Sequence, residues 1–385
     1  MKRIYMDHSA TTPVDPLVVD AMLPYFSEMF GNSSSLHSFG MEAAEALARA
    51  REQVAEAIGA SPEEIIFTSG GTESDNLAIR GVIPHDAGKK HIITSVIEHP
   101  AVLNTCAFLE SMGHDITYVP VDADGIIDLQ ELKGSIRDDT VLISVMHANN
   151  EVGTIQPIEE IAKIAKENDI YFHTDAVQTV GKVPVNVDDL GVDMLSISSH
   201  KIHGPKGAGA LYVRKGTVIE PIVFGGNHER GLRSGTENIP GIVGLGKAMS
   251  LASELLGTDA KHMQEMRDSL ISRVFDALPD VRLNGHPTQR LPNNVNLSFK
   301  YVEGESMLMM LDMKGIAVST GSACSSKSMN ASHVLTSLKL EDDYIHGSLR
   351  ISLGKENTME DVDYVVESLK EIVLKLREMS PLSNS

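Results

Sequence analysis

A single lysine lies where a buried strand is expected to end. Lys201 falls in SISSHKIHGPKGAGALYV, residues 196 to 213, directly after the apolar run DMLSIS, residues 193 to 198. Most lysines are solvated surface charges. Open α/β sheets, however, bind ligands at strand ends, and a partly desolvated lysine loses its proton and forms a Schiff base with a carbonyl compound. The surroundings of Lys201 therefore predict a site for a carbonyl compound.

A carboxylate and an amide follow another apolar run. In FHTDAVQTVG, residues 172 to 181, Asp175 comes just after IYF and Gln178 lies three residues later. A buried carboxylate needs a cation or hydrogen-bond donors. A protonated pyridine nitrogen is one such partner, and Gln178 could then reach the neighbouring ring oxygen. Asp175 is equally consistent with the N-cap of a helix that begins at AVQTV.

The segment FTSGGTESDNLAI, residues 67 to 79, has the form of a strand, a glycine turn and a helix. We expect Thr72 to be the N-cap of this helix. The backbone N–H groups of Gly71 and Thr72 would then form an anion site, with the Thr72 hydroxyl as a further donor. A glycine turn before a helix is more often only structural, so this segment alone does not decide the function.

Three more polar residues follow strand-like runs. His99, in SVIEHPAV, precedes a proline at a strand end, where an imidazole could stack on a flat ring, although a lone histidine is more often structural. MHANNEVG places the amides of Asn149 and Asn150 at another strand end. Each of these signals is ambiguous by itself.

The chain has two cysteines, Cys106 and Cys324, which excludes a disulfide framework and a cysteine-based zinc site. Cys106 lies in a segment with helical apolar spacing and is predicted to be buried. Cys324 lies in STGSACSS, which has neither helical nor strand periodicity, and is predicted to lie on an exposed, mobile loop.

Two apparent motifs carry no function. GIVGLGKA, residues 241 to 248, approximates a phosphate-binding loop, but Ala248 replaces the Ser or Thr that would hold Mg²⁺, and the context is helical. His200 and His203 have no carboxylate at a metal-binding spacing nearby. The sequence therefore argues against nucleotide hydrolysis and predicts no metal site.

The elements that must position these residues alternate along the chain. Strand-like runs near residues 64, 90, 115, 140 and 170 are separated by segments with apolar residues at helical spacing. This alternation predicts a mainly parallel sheet covered by helices on both faces. After about residue 255, a long helix and the runs NNVNLSFKY, IAVSTGSACSS and SLRISLG predict a smaller α+β domain.

Charge and composition limit the partners. The 385 residues carry a formal charge of −20, which argues against a nucleic acid or an anionic membrane as partner. The N-terminal MKRIYMDHSATTP has no apolar segment after its basic residues, and the chain has no uninterrupted apolar run near 18 residues. We therefore expect a cytoplasmic protein.

Taken in order, the motifs strongly resemble the class V aminotransferase family, and within it the group I cysteine desulfurases of the NifS and IscS kind. The resemblance runs nearly end to end through YMDHSATTPVDP, FTSGGTESDN, EHPAV, MHANNEVGTIQP, HTDAVQ, SSHKIHGPKG, RSGTEN, STGSACSS and LRISLG. It implies the aspartate aminotransferase-like fold type I, an α/β fold that binds pyridoxal 5'-phosphate. It also implies a large domain over residues 15–257 and a small domain over residues 1–14 and 258–385, which carries the cysteine loop.

The resemblance also assigns roles in a cofactor site. Lys201 would bind the cofactor covalently and then move the substrate's Cα proton, His99 would stack on the ring, and Asp175 would keep the ring nitrogen protonated. Gln178 would bond the phenolic oxygen. Gly71, Thr72, Ser198 and His200 would hold the phosphate. Thr236 would reach the same phosphate from the second subunit of a homodimer. Asn150 and Arg350 would bind the substrate carboxylate.

Cys324 distinguishes desulfuration from transamination in this interpretation. Its thiolate would attack the sulfur of L-cysteine and form a persulfide, leaving alanine, and the loop would carry the sulfur to an iron–sulfur scaffold or another acceptor protein. Iron–sulfur cluster assembly or tRNA thiolation would be the downstream use. The alternatives are selenocysteine lysis or another class V reaction and, outside catalysis, a scaffold or sulfide-handling protein with the same fold.

Overall fold

The computed structural model describes residues 3–84, 88–320 and 332–380. Within these ranges the strands are β1 (Ile4–Tyr5), β2 (Ile65–Thr68), β3 (His91–Ser95), β4 (Asp115–Val119), β5 (Thr140–Ser144), β6 (Tyr171–Asp175), β7 (Met194–Ser198), β8 (Gly209–Val213), β9 (Val281–Leu283), β10 (Asn294–Phe299), β11 (Ile316–Ala317) and β12 (Ser348–Ser352). The helices are α1 (Pro16–Met22), α2 (Pro24–Ser27), α3 (Ser38–Ile58), α4 (Gly71–Gly81), α5 (Pro100–Ser111), α6 (Leu129–Gly134), α7 (Ile158–Glu167), α8 (Val187–Leu190), α9 (Ile239–Ala277), α10 (Gly304–Met313), α11 (His333–Ser337), α12 (Asp342–Ile345) and α13 (Met359–Met379).

The main sheet has the strand order β2-β8-β7-β6-β5-β3-β4. The pairs from β7 through β4 are all parallel, and β8 runs antiparallel to both of its neighbours. All residues of β2, β3, β7 and β8 are buried, as expected for strands covered by helices on both faces. The predicted mainly parallel sheet is confirmed.

This topology determines where polar residues meet. Because β2 and β7 both run antiparallel to β8, β2 runs in the same direction as β3, β5, β6 and β7. The carboxyl ends of these strands therefore lie along one edge of the sheet. The segments that follow them begin at Ser69, Val96, Val145, Ala176 and Ser199. These segments carry most of the predicted site residues, and open α/β sheets bind their ligands at this edge.

A smaller sheet, β12-β10-β9, is antiparallel and lies in the C-terminal part of the chain, where α+β structure was predicted. The N-terminal β1 pairs with β11, and Asp7 forms a bridge to Ser352, the last residue of β12. Residues 4–7 therefore pack with the last third of the chain.

One long helix, α9, links the two parts. Its first half contributes Leu245 and Met249 to the core under the main sheet, and its second half contributes Leu270 and Val274 to a core with the small sheet. Among the described helices, α9 alone is long and apolar enough to cross a membrane, but core helices meet the same criterion. The predicted domain boundary at residues 257/258 falls inside this helix, and the division into domains stays a prediction.

Candidate active site

One cavity collects most of the predicted site residues. It encloses about 830 Å³ of empty space, including its open mouth, beside the carboxyl edge of the main sheet. Ten of the twelve predicted residues line it: Gly71, Thr72, His99, Asn150, Asp175, Gln178, Ser198, His200, Lys201 and Arg350. These residues come from segments up to 279 positions apart in sequence, from 71 to 350. The structure therefore assembles a single site where the sequence showed separate signals.

Lys201 lies in a short 3₁₀ turn, residues 199 to 201, that follows β7. Its Nζ donates hydrogen bonds to the carbonyl oxygens of Ser9 and, at 2.9 Å, of Ala10. The turn itself is bound to the N-terminal segment, because the Thr12 N–H and hydroxyl both donate to the His200 carbonyl at 2.9 and 3.0 Å. The amine is therefore held at the cavity wall by main-chain groups.

The start of α4 faces the same cavity. The N-cap is Gly70, not Thr72, so the predicted cap is wrong and Thr72 lies in the first turn. Gly70 has φ 148°, which favours glycine, and a Cβ on Gly71 would lie 2.7 Å from Val177 Cγ2 and 3.5 Å from Ser198 Cβ. No described side chain caps this eleven-residue helix, so its first N–H groups are available to an anion. The glycines leave the space that a side chain would otherwise fill.

Asp175 and Gln178 occupy another part of the cavity wall. Asp175 is the last residue of β6, and its Oδ1 accepts a hydrogen bond of 2.9 Å from the Val177 N–H. Burial raises the pKa of the Asp175 carboxyl, although His99, the Val177 N–H and Lys201 partly offset this. A bound cation would therefore be stabilised here. Gln178 donates to the Ser9 carbonyl at 3.0 Å through Nε2.

The two predicted histidines are both kept neutral. His99 is the N-cap of α5, and its Nδ1 accepts from the Ala101 N–H at 3.1 Å. Burial lowers the pKa of His99, and burial with nearby lysines lowers the pKa of His200 to about 4. A neutral His99 ring, fixed by its capping bond, is suited to stacking on a flat ligand.

Arg350 enters the cavity from β12 of the small sheet. It is 2% exposed, and its guanidinium donates to the Asp7 carboxylate at 2.9 Å and to the Asn150 carbonyl at 3.1 Å. Its Nε is buried and has no hydrogen-bond partner among the described residues. The guanidinium is thus oriented by two contacts and retains a donor for a ligand.

The cavity fits the group that the resemblance implies. Four buried polar atoms in its wall lack a hydrogen-bond partner in the described part of the chain: Ser9 Oγ, Asp75 Oδ1, Gln178 Oε1 and Arg350 Nε. Unpaired buried polar atoms are costly. The helix start would take a phosphate, Asp175 a protonated ring nitrogen and Lys201 an aldehyde carbon. The residues present therefore suit pyridoxal phosphate.

Sequence reasoning missed several members of this wall. Ser9 and Ala10 contact Lys201 but lie in a segment noted only as part of a resemblance. Asp75 is buried within α4, and burial together with the nearby Asp175 raises the pKa of its carboxyl well above its ordinary value. The only sequence signal for Asp75 was a charged residue within the helical stretch that follows the glycine turn.

Two predicted residues are not part of the described cavity. Thr236 is exposed and does not line it within this single chain. Cys324 lies outside the described residues.

The described chain resumes at Ser332, whose hydroxyl donates to the Glu151 carboxylate at 2.5 Å, and His333 bonds the Glu98 carbonyl at 3.0 Å. In the described ranges no His, Cys, Asp and Glu side chains are grouped as a metal ion would require.

The comparisons with known proteins agree on one family. The model of the family "Aminotransferase class-V" matches residues 4–365. "Cysteine desulfurase IscS" of Methanosarcina thermophila is 57% identical over 99% of this chain and 95% of its own length. The protein of the same name from Dictyoglomus turgidum is 56% identical over 99% and 97%. A solved structure titled "NifS-like protein" superposes with a TM-score of 0.91 at 43% identity, covering 97% of this chain and 100% of that one.

Proposed function

This chain belongs to the aminotransferase class-V family, and we infer that it is a pyridoxal-phosphate-dependent cysteine desulfurase. It has the fold type I architecture of that family. The relatives named cysteine desulfurase match it at up to 57% identity over nearly its whole length. The single observation that carries the inference is the convergence of ten predicted residues on one cavity.

The residues of the cavity have complementary tasks. Pyridoxal phosphate, when bound, supplies a conjugated ring that accepts the electron pair released at the substrate's Cα. We propose that the Nζ of Lys201 takes the Cα proton and later returns a proton. Asp175 would hold a proton at the ring nitrogen, and Gln178 would bond the phenolic oxygen. His99 would cover one face of the ring and exclude water.

Sulfur removal needs a nucleophile that attacks sulfur rather than carbon, and we propose Cys324 for this step. Its thiolate forms a bond with the substrate sulfur while the bond from that sulfur to the substrate Cβ breaks. The carbon fragment keeps the electron pair and, after protonation, leaves as alanine. The thiolate is oxidised to a persulfide, and thiolates are strong nucleophiles for such a transfer.

An assay with L-cysteine tests this function. In the presence of a thiol reductant we expect equal amounts of alanine and sulfide, together with a change in the visible absorption of the yellow protein. A yellow protein that yields no alanine from cysteine would direct the search to another amino acid, such as selenocysteine. A colourless protein that added pyridoxal phosphate does not restore would contradict the proposal and favour a scaffold.

Replacing Arg350 tests the substrate contact. Arg350→Lys keeps the charge but loses the planar fork that binds a carboxylate through two N–H groups. We expect the KM for L-cysteine to rise about tenfold, with a smaller fall in kcat. Steady-state kinetics measure both. Arg214→Lys is the matched control, because Arg214 pairs with Asp188 at 2.7 Å and does not line the cavity.

We propose that the enzyme is a homodimer and that Thr236 completes the phosphate site of the partner subunit. Thr236 is exposed in the single chain, as are several apolar side chains of the N-terminal segment: Leu17, Leu23, Phe26, Phe30, Leu36 and Phe39. Such a concentration of apolar surface favours association. Sedimentation should give twice the mass of 41.7 kDa, and Thr236→Ala should weaken cofactor binding several-fold without changing that mass. A monomer with full cofactor affinity would contradict the proposal.

The use of the sulfur is a further proposal. We expect a protein acceptor, such as an iron–sulfur scaffold or a carrier for tRNA thiolation, to take the persulfide sulfur from Cys324. The net charge of −20 favours a protein acceptor over direct contact with RNA. A cytoplasmic location is also proposed, because thiol chemistry of this kind needs a reducing compartment. Labelling with ³⁵S-cysteine in cell extract, followed by fractionation, would identify the acceptor.

A further inference from the structure

A second lysine lies buried behind the first. Lys182 follows β6 by seven residues, is 5% exposed, and donates from Nζ to the carbonyl oxygen of Lys201 at 3.4 Å. The Gly181 before it has φ 72°, and a Cβ there would lie 3.0 Å from Ile202 Cγ2. The loop that carries Lys182 therefore packs directly against the turn that carries Lys201.

Both lysines also line one further cavity, which encloses about 560 Å³ including open solvent. The other titratable groups that line this cavity with Lys182 are His8, Asp15, Lys201, His203, Asp259 and Lys355. Asp15 pairs with Lys355 at 2.7 Å. Glu356, near the same cavity, lies 3.6 Å from His8. Among the described residues, no carboxylate lies within salt-bridge distance of Lys182.

Lys182 is therefore unfavourable to the stability of the fold. Burial, together with the nearby charge of Lys201, lowers the pKa of Lys182 from its ordinary value of 10.5 to about 7. Between these two values the unfolded chain binds a proton that the folded chain does not bind. Below about pH 7 both states are protonated, and the folded state bears the full penalty of a buried ammonium. The presence of a buried lysine without a carboxylate partner is therefore not explained by stability.

The contacts of the turn provide that reason. The His200 carbonyl accepts from Thr12, the Lys201 carbonyl accepts from Lys182, and the His203 carbonyl accepts from the Asp15 N–H at 2.9 Å. The backbone around the proposed catalytic amine is thus held by groups from two other segments. Lys182 holds the peptide of Lys201 itself.

We propose that Lys182 is a positioning residue for Lys201, which holds the Lys201 carbonyl from within the fold so that the Lys201 amine keeps its reach into the cofactor cavity. This inference rests on the role proposed for Lys201 in cofactor binding. It extends the site to a residue that contacts neither the cofactor cavity nor its ligands. A displacement of about 1 Å at a reacting group lowers rates by up to about 10²-fold, so a small backbone shift is sufficient for a large effect.

Two substitutions separate positioning from a structural role. Lys182→Met removes the donor and the charge, whereas Lys182→Arg keeps both, and the adjoining cavity has room for the longer side chain. With saturating pyridoxal phosphate, we expect Lys182→Met to unfold at a higher temperature than the parent at pH 7. This gain should shrink as the pH rises toward 10.5, where the parent lysine is neutral in both states.

The same Lys182→Met protein should turn over more slowly. We expect kcat to fall about tenfold with little change in KM, and the visible absorption band of the bound cofactor to shift. Lys182→Arg should keep kcat within about twofold of the parent and gain no stability. The matched control is Lys355→Met. Lys355 lines the same cavity, but its amine pairs with the Asp15 carboxylate and not with the carbonyl of Lys201. It should leave both kcat and the band unchanged.

A Lys182→Met protein with the parent's kcat and band would overturn the proposal. So would one that is less stable at pH 7 and loses activity only in proportion to its unfolded fraction, because Lys182 would then be a structural residue. The visible band requires only that Lys201 holds the cofactor. If the parent makes no alanine and the proposed function fails, a band that shifts in Lys182→Met and not in Lys355→Met still supports the positioning role, and an unshifted band contradicts it.

Discussion

A Cys324→Ser protein is expected to bind pyridoxal phosphate and L-cysteine but to release neither sulfide nor alanine. Turnover should fall at least about 10³-fold, as for other enzymes that lose a nucleophile. The physical reason is that a serine hydroxyl does not ionise near neutral pH and does not attack sulfur, whereas a thiolate does both. The visible absorption of the cofactor should remain, because Cys324 is not expected to hold it. Alanine and sulfide assays beside an absorption spectrum make the measurement.

The other cysteine is the control for this experiment. Cys106 lies in α5 with no exposed surface, and burial, with contributions from Glu98 and Glu110, raises the pKa of its thiol to about 12. It is therefore protonated and inaccessible at neutral pH, and Cys106→Ala should keep the parent's turnover. Because the chain has two cysteines in all and Cys106 is buried, a Cys324→Ser protein has no exposed thiol. Full turnover by that protein would therefore refute a cysteine nucleophile.

Lys201→Ala should have an effect of similar size but with a different spectrum. Without the amine the cofactor has no covalent partner, so we expect the yellow band of the parent to be lost and turnover to fall at least about 10³-fold. Borohydride reduction followed by peptide mapping gives a second readout. In the parent it should fix the cofactor mass to the peptide that contains Lys201, and in the variant no such peptide should appear.

Lys206 is the matched control for Lys201. It lies five residues later in the same glycine-rich turn, is exposed, and does not line the cavity. Lys206→Ala should therefore keep the yellow band, the borohydride adduct at Lys201 and most of the activity. A cofactor adduct on any lysine other than Lys201 would show that the assignment is wrong.

The predictions from sequence succeeded where a residue's neighbours along the chain determine its environment. The apolar runs IYF and DMLSIS predicted the ends of β6 and β7, so Asp175 and Lys201 were placed at strand ends from the residues alone, whereas Ser198 was assigned by the resemblance. The N-cap of α4 was misplaced by two residues, because Gly70 and Thr72 both suit a helix start and only the backbone dihedrals distinguish them. Asp75 was missed because the sequence cannot indicate which face of α4 meets β6.

The division between sequence and structure follows from the range of the interactions. The alternation of strands and helices, the burial of Cys106 and the order of the polar motifs are local properties, and the sequence alone determined them. The bond from Lys201 to Ser9, that from Arg350 to Asp7 and that from Lys182 to Lys201 join segments 192, 343 and 19 residues apart. The hydrophobic periodicity of the sequence does not predict such contacts, because they depend on strand order and on the packing of the N-terminal segment between the two sheets. Only the tertiary structure could therefore reveal that the buried Lys182 contacts the turn that carries Lys201.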